Sequence, residues 1–376
     1  MITLYSTISL LFTGLYLVIV TYLIKGWAML KRPRINPGPY TTKVTILIAA
    51  RDEEENIRKT IEDLLAQDYP KELTEIIIVD DHSTDNTAAI ISSYADSGVQ
   101  LMQLQDNQIL NSYKKKAIAE AIRRSTGDLM VATDADCRME PKWLSSVVSY
   151  FEMEDKVMIS SPVTYFEEKT LFEQMQTLEF SFLIGIGASF IGNNRASTCN
   201  GANLAYRKDV FYEVGGFTGI DDLASGDDEL LLQKVALRYP GRIGFLKKRD
   251  AIVYTHAKHN LSSFIQQRRR WASKSTKYKD KKIIALAVSM WLFNVLLLVN
   301  ALLGFYDSYF FKLFLVEIGL KYLFEIVFLL PVLSFLKRTW LIFLISIVAP
   351  LHIIYVVYIG IMGNTGKYAW KGRMVR

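Results

Sequence analysis

The run Asp128-Leu-Met-Val-Ala-Thr-Asp-Ala-Asp-Cys137 constrains this chain more than any other stretch. Leu129 to Ala132 are consecutive apolar residues bounded by charge, the pattern of a strand buried on both faces of a parallel sheet. Asp134 and Asp136 then fall at the carboxyl end of that strand, where open α/β sheets gather their ligands. Alternate residues share a face, so both carboxylates point the same way and can hold one hard cation or bracket it with a phosphate. An Asp-x-Asp pair alone is equally a solvated polar turn, so its weight depends on the rest of the chain.

The same plan occurs twice upstream. Val44-Thr-Ile-Leu-Ile-Ala-Ala-Arg-Asp-Glu-Glu-Glu-Asn56 reads as a buried strand, a polar turn and an amphipathic helix through about Gln67. Glu75-Ile-Ile-Ile-Val-Asp-Asp-His-Ser-Thr-Asp-Asn-Thr87 repeats it, with Asp80 and Asp81 at the strand end and a Ser/Thr/Asp cap opening the next helix. Asn111 to Arg124 is expected to be helical and opens with Lys114, Lys115 and Lys116. Strand and helix alternating in this way predict a right-handed, doubly wound α/β sheet of nucleotide-binding type. Neither Gly-x-Gly-x-x-Gly nor Gly-Lys-Ser/Thr is present, which argues against a dinucleotide cofactor and a P-loop.

Further along, Lys156 to Phe166, Ile243 to Leu246 and Ala251 to Thr255 are strand-like. Cys199-Asn-Gly-Ala-Asn-Leu-Ala-Tyr206 is a loop entering a short strand, and Ser225-Gly-Asp-Asp-Glu229 is an acidic helix start. Leu261 to Ser275, containing Gln267-Arg-Arg-Arg-Trp271, is a basic amphipathic helix. It suits a membrane surface with Trp271 at the headgroups, a phosphate clamp with an indole platform for a sugar ring, or both.

Of the 376 residues, 51% are hydrophobic, and the excess is concentrated at the two ends. Ile2 to Ile24 carries no charge and is followed by Lys25, Lys31, Arg32 and Arg34, the signature of a retained anchor with a cytoplasmic basic flank. Ile283 to Leu303, Leu313 to Phe335 and Trp340 to Met362 are further candidate spans. The second contains Glu317, Lys321 and Glu325 at four-residue spacing, able to pair on a face turned away from lipid. Leu171 to Ile191 is apolar but lies between sheet elements, and is expected to be an interfacial helix. The basic tail Lys367, Lys371, Arg373 and Arg376 favours the cytoplasmic side, which three spans after a cytoplasmic domain do not give; one apolar stretch, such as Leu171 to Ile191 or the Pro350-containing last one, must be re-entrant, interfacial or miscounted as a span. The expected organisation is an anchor over 1–25, a soluble domain over 26–282 and a membrane region over 283–376. The net charge of +6 lies near the apolar segments without the aromatic interleaving of a nucleic-acid binder, so membrane lipids are the expected partner and nucleic acid is not. Cys137 and Cys199 lack paired spacing, and the four histidines lack metal-ligand spacing.

In order, Asp80-Asp81, Asp134-x-Asp136, Asp227-Asp228 and Gln267-x-x-Arg270-Trp271 resemble the motifs of the membrane-bound family 2 glycosyltransferases of GT-A fold, which include cellulose, chitin and hyaluronan synthases and ceramide glucosyltransferases. The resemblance covers about Val44 to Ser275. It implies a GT-A mixed sheet flanked by N- and C-terminal transmembrane helices, in a multi-pass protein of the plasma (inner) membrane with a cytoplasmic catalytic domain. It implies an inverting transfer from a UDP- or GDP-sugar to a lipid-linked or saccharide acceptor; the short C-terminal membrane part favours a single, non-processive transfer, with a processive polysaccharide synthase or a silent nucleotide-sugar-binding scaffold as alternatives. Residue by residue, it assigns Ala50, Arg51, Glu53, Asp80, Asp81, Lys114 and Asp134 to the donor nucleotide, with Lys115 as plausible as Lys114 by chemistry. Asp134 and Asp136 would hold Mg²⁺ or Mn²⁺, and Asp228 or its neighbour Asp227 would be the general base. Gln267, Arg270, Trp271, Asn200, Gly201 and Asn203 would serve the diphosphate and the acceptor, with Arg268 or Arg269 helping Arg270. The chain departs from the family pattern at Ala49, where many relatives have proline, and at Gly-Asp-Asp in place of Thr-Glu-Asp.

Overall fold

A computed structural model describes residues 2–34, 36, 38–104, 112–278, 280–362, 368–370 and 373–375, the last two segments and residue 276 by backbone alone. In chain order the helices are α1 (Ile2–Met29), α2 (Ile57–Leu65), α3 (Thr87–Ser92), α4 (Tyr113–Arg124), α5 (Trp143–Met153), α6 (Leu171–Gly192), α7 (Lys208–Glu213), α8 (Glu229–Arg238), α9 (Leu261–Ser273), α10 (Lys281–Leu303), α11 (Ser308–Phe335) and α12 (Ile345–Met362). The strands are β1 (Val44–Ala50), β2 (Thr74–Asp80), β3 (Val99–Gln103), β4 (Leu129–Asp134), β5 (Arg138–Met139), β6 (Met158–Ser160), β7 (Val163–Tyr165), β8 (Leu204–Arg207), β9 (Ile243–Phe245), β10 (Val253–Thr255), β11 (Tyr368–Trp370) and β12 (Arg373–Val375).

The chain divides into two compact units. One comprises Met29–Glu168, Phe190–Ala257 and Lys367–Arg376, and the other Met1–Ala28, Lys169–Ser189 and Lys258–Gly366. The segments bearing α6 and α9 thus group with the terminal helices, although α6 lies between sheet elements in the sequence.

The first unit is built on a seven-stranded sheet in the order β3-β2-β1-β4-β8-β6-β9. The first four strands are mutually parallel, as the repeated strand-helix plan predicts, and β8 runs antiparallel to both β4 and β6. Ile46, Ile48, Ile78, Met130 and Val131 have essentially no exposure because helices cover both faces, and each such side chain contributes about 1.5–3 kcal/mol. At the edge, β3 buries Val99 and Met102 and exposes Gln100 and Gln103. The covering helix α2 buries Ile57, Thr60, Ile61 and Leu64, a helical stripe. The strand expected over Lys156 to Phe166 is broken in two between Ser160 and Val163: β6 stays in the main sheet and β7 joins a second sheet, β5-β10-β7. Pro162 stands at the break. It has no N–H for a ladder, and its carbonyl accepts from Val253 N (3.0 Å).

In the second unit, α11 carries Glu317, Lys321 and Glu325 fully inside. Glu317 accepts from Ser9 Oγ (2.7 Å) and Thr13 Oγ1 (3.1 Å) of α1 and from Asn300 Nδ2 (2.8 Å) of α10. Lys321 pairs with Glu325, which also accepts from Tyr16 OH (2.6 Å). The four-residue spacing read as one charged face is therefore a buried seam joining three helices. Leu178 of α6, Leu329 and Leu333 of α11, Leu341, and Ile345 and Ala349 of α12 form the apolar cluster of this unit. Among the described residues, four helical stretches are long and apolar enough to cross a membrane: Ile2–Met29, Leu171–Gly192, Lys281–Leu303 and Thr339–Met362. The side chains of Lys367, Lys371, Arg373 and Arg376, and Asn111 at the expected start of α4, lie outside the described residues.

Candidate active site

Parallel pairing gathers the sequence motifs at one sheet end. In register, Ala50 of β1 lies beside Asp80 of β2, and Ala49 lies beside Asp134 of β4. Because β8 is antiparallel to β4, with Leu204 opposite Ala132, the preceding residues Asn200 to Asn203 arrive at this same end. The strand order alone therefore brings residues 50, 80, 134 and 203 together from across the chain.

Lys114, on the first turn of α4, sits where the acids meet. Its Nζ lies 2.7 Å from Asp134 Oδ1 and 3.1 Å from Asp227 Oδ2. Burial works against the charge on this ammonium, but Asp134 and Asp227 outweigh it and hold Lys114 well above the ordinary lysine range. Asp227 shows the converse: burial opposes its ionisation, yet Lys114 keeps its carboxyl below the usual range. Asp228 is the N-cap of α8. Its Oδ1 accepts from Glu229 N (2.6 Å) and its Oδ2 from Gly201 N (3.0 Å). A Cβ on Gly201 would lie 3.2 Å from Asp228 Cβ and 3.4 Å from Asp227 Oδ2, so the absent side chain lets the acids close on this backbone.

On the other side of β1, the loops after β1 and β2 are tied together. Arg51 Nη1 donates to the carbonyls of Asp81 (2.6 Å) and His82 (2.8 Å), and Glu53 N donates to Thr87 Oγ1 (2.8 Å). Asp80 and Asp81 are both buried; Asp80 Oδ1 accepts from Ser83 N (3.3 Å). The Glu53 carboxylate accepts from Asn56 Nδ2 (3.0 Å).

Asp134, Asp136 and Cys137 offer ligand atoms within 4.8 Å of one another. Burial pushes the Cys137 thiol well above its ordinary range, so it is a neutral thiol and a poor ligand. Two hard carboxylates remain, the donor set for Mg²⁺ or Mn²⁺, and the Lys114 ammonium already occupies one cationic position against Asp134. The residues fit such an ion.

Two expectations need correction. Asn203 does not face a pocket: its Nδ2 donates to Pro162 O and Ala251 O (both 2.8 Å), and its Oδ1 accepts from Trp143 Nε1 (3.0 Å), so the amide is a core cross-link. Asn200 Oδ1 caps Ala202 N (2.9 Å). Arg268 is buried against Glu179 of α6, donating to Oε1 (3.2 Å) and Oε2, with its guanidinium 4.2 Å from the Trp271 ring centroid. It braces α9 rather than helping Arg270. Gln267 Oε1 accepts from Arg268 Nη1 (2.7 Å), and Arg270 and Trp271 follow on the same helix, in the helical unit.

Three residues near the acids were not read as parts of this site. His82 Nδ1 lies 3.0 Å from Asp81 Oδ1, and its Nε2 is buried with no partner among the described residues. Thr255 Oγ1 reaches Asp136 Oδ2 at 3.4 Å from β10. Lys115, weighed only as a second choice for Lys114, turns instead into the protein. His82 adopts a positive φ of 56°, a conformation uncommon outside glycine.

Residues 45–215 match the model of the family Glycosyl transferase family 2, a span that contains Asp80, Asp81, Asp134 and Asp136 and stops short of Asp227. Hyaluronan synthase of Streptococcus pyogenes is 26% identical over 276 residues, covering 69% of this chain and 63% of its own length, so the chain spans less than two thirds of that relative. Beta-monoglucosyldiacylglycerol synthase of Synechocystis sp. is 34% identical over 113 residues, 30% of this chain and 23% of that one. Among solved structures, a mannosyltransferase from Pyrobaculum calidifontis in complex with GDP-Man and Mn²⁺ superimposes with a TM-score of 0.60 at 18% identity, covering 93% of this chain and 99% of the other. The mixed sheet with acids at its parallel strand ends is thus a GT-A fold, and the chain carries a family 2 glycosyltransferase domain.

Proposed function

We propose that this chain is an inverting, metal-dependent transferase that moves one sugar at a time from a UDP- or GDP-sugar to a lipid-linked or saccharide acceptor at the cytoplasmic face of the plasma (inner) membrane. The observation that carries this reading is the bridge through Lys114, which joins the Asp-x-Asp carboxylate Asp134 to Asp227, next to Asp228. In this reading Asp228 is the general base. Both its oxygens are oriented by backbone N–H donors, which hold the carboxylate in one place. The acceptor hydroxyl oxygen forms a bond to the anomeric carbon as the bond from that carbon to the phosphate oxygen breaks on the opposite face. The hydroxyl proton passes to Asp228 and the nucleoside diphosphate leaves. Asp134 and Asp136 would hold a divalent ion, which when bound would supply Lewis-acid stabilisation of the charge on the leaving diphosphate.

Lys114 adds a fixed positive charge beside the same acids, and Ala50, Arg51, Glu53, Asp80 and Asp81 line the nucleoside end. From α9, Gln267 and Arg270 would bind the diphosphate and Trp271 the acceptor ring, with Gly201 giving the acceptor close access to Asp228. The relative named for glucosyldiacylglycerol synthesis favours a lipid acceptor, and the one named for hyaluronan synthesis favours a growing chain. Membrane attachment rests on α1, α10 and α12, with α6 as an interfacial helix. Strands β4 and β6 before α6 pair with β8 after it, which favours both ends of α6 on one side of a bilayer.

A screen of UDP- and GDP-sugars, read as released nucleoside diphosphate with Mg²⁺, Mn²⁺ or chelator, tests this reading. Release with one donor, abolished by chelator, supports it. No release with any donor from folded protein overturns it in favour of a nucleotide-sugar-binding scaffold. Product length separates the two transferase forms, since a ladder of long products marks a processive synthase.

A further inference from the structure

Lys115 follows Lys114 on α4 and faces away from the acids. It is 1% exposed, and its Nζ donates to three backbone carbonyls: Ile220 (2.5 Å), Leu223 (2.8 Å) and Ser225 (2.7 Å). An ammonium has three N–H donors, so all are engaged. The three carbonyls belong to one loop, which runs directly into Gly226-Asp227-Asp228. That loop has little conformational preference of its own. Gly215, Gly216, Gly219 and Gly226 all adopt positive φ, between 48° and 89°, where glycine is permissive and the unfolded chain most free. The loop is held from outside instead, with Lys234 Nζ donating to Gly216 O (2.6 Å) and Thr218 O (3.0 Å) at its start and Lys115 gripping its end. Burying an ammonium among carbonyls costs desolvation that an apolar side chain of equal volume would avoid, so three aligned donors at this place serve geometry more than stability.

We infer that Lys115 is a positioning residue: it fixes the carbonyls of Ile220, Leu223 and Ser225, and through them the placement of Asp227 and Asp228 against Asp134. Adjacent lysines on one helix thus divide the work. Lys114 binds the acidic side chains, and Lys115 holds the backbone that presents two of them. This role rests on the transferase reading of Asp227 and Asp228 given above.

The test uses the full chain in detergent, with Lys115→Met, which fills the space without donors, and Lys115→Ala, which leaves room for n-propylammonium. Two readouts are taken: steady-state release of nucleoside diphosphate, and hydrogen–deuterium exchange of peptides spanning residues 217–228. Lys115→Met is expected to lower kcat roughly a hundredfold, the size of effect a displacement of about 1 Å produces, with the donor KM within about twofold of wild type. Exchange over 217–228 rises in both variants. In Lys115→Ala, n-propylammonium restores both turnover and protection, whereas tetramethylammonium, of equal charge but without N–H donors, restores neither. Wild-type exchange and turnover in Lys115→Met would overturn the inference, as would a folded Lys115→Ala that n-propylammonium leaves unchanged. So would loss of the whole thermal transition in both variants, since Lys115 would then be required for the fold at large. Should wild type turn over no donor while the exchange responses occur as described, the transferase reading falls and the role of Lys115 in setting the loop stands.

Discussion

Lys114 in the sheet unit and Lys321 in the helical unit each pair with carboxylates, but their surroundings differ in one respect. The Lys114 side chain is 19% exposed and its partner Asp134 38%, whereas Lys321 and Glu325 are 1% and 8% exposed. Around Lys321 the polar groups close on one another, since Ser9, Thr13, Tyr16 and Asn300 satisfy Glu317 and Glu325 from two other helices. Around Lys114 the acids converge on a cation while the Asp134 carboxylate stays open to solvent. A closed set of charges fixes helix partners; an open set is equipped to hold a ligand and take a proton.

That contrast can be broken at either end. Lys321→Met should have the largest effect, since it leaves buried Glu325 without its cation and costs about 3–5 kcal/mol. Thermal unfolding in detergent reads this, and diphosphate release per folded molecule should stay at the wild-type level. Asp136→Asn should do the reverse, lowering turnover about a hundred- to a thousandfold, as loss of one charge-stabilising group does, with an unchanged melting temperature. Equal melting losses in the two variants would dissolve the distinction between the clusters.

Gly201→Ala should be milder, near tenfold in kcat, because its new Cβ meets Asp228 Cβ at 3.2 Å and forces a shift of a few tenths of an ångström. Smallest is the pH effect. The Asp227 carboxyl lies below its usual range, so the stability it contributes is present above its unfolded value of about 3.9 and is lost as pH falls through its folded value. The Lys114 ammonium lies above its usual range, so its contribution is complete below about pH 10.4 and is lost only as pH rises beyond. The melting temperature should therefore be flat between these limits, and Asp227→Asn should remove part of the acid limb in a pH-resolved thermal scan.

How much of this was legible follows the same physical line. The strands β1, β2 and β4 and the acids after them were readable because burial on both faces forces an unbroken apolar run, and parallel pairing puts all three carboxyl ends together. Side chains whose partners come from distant segments were not. Asn203 has the composition of a loop residue, and only the folded chain brings Trp143, Pro162 and Ala251 to its amide. Arg268 stands in a run of three arginines and is singled out by Glu179, 89 positions away. Lys114 and Lys115 are chemically alike in sequence, and one helical step of about 100° sends one to the acids and the other beneath a loop. The break within Lys156 to Phe166 did have a local signal in Pro162, which the apolar pattern on either side masked.

The most direct measurement is nucleoside diphosphate release by purified wild type and Asp228→Asn under the same donor and Mn²⁺ conditions. Asparagine caps a helix as well as aspartate does but offers only one acceptor oxygen, so the bond from Gly201 N is lost and the variant should melt slightly lower, by about 1 kcal/mol, while its turnover per folded molecule falls roughly a hundred- to ten-thousandfold. An Asp228→Asn protein that releases diphosphate at the wild-type rate would contradict the assignment of these acids to the chemistry.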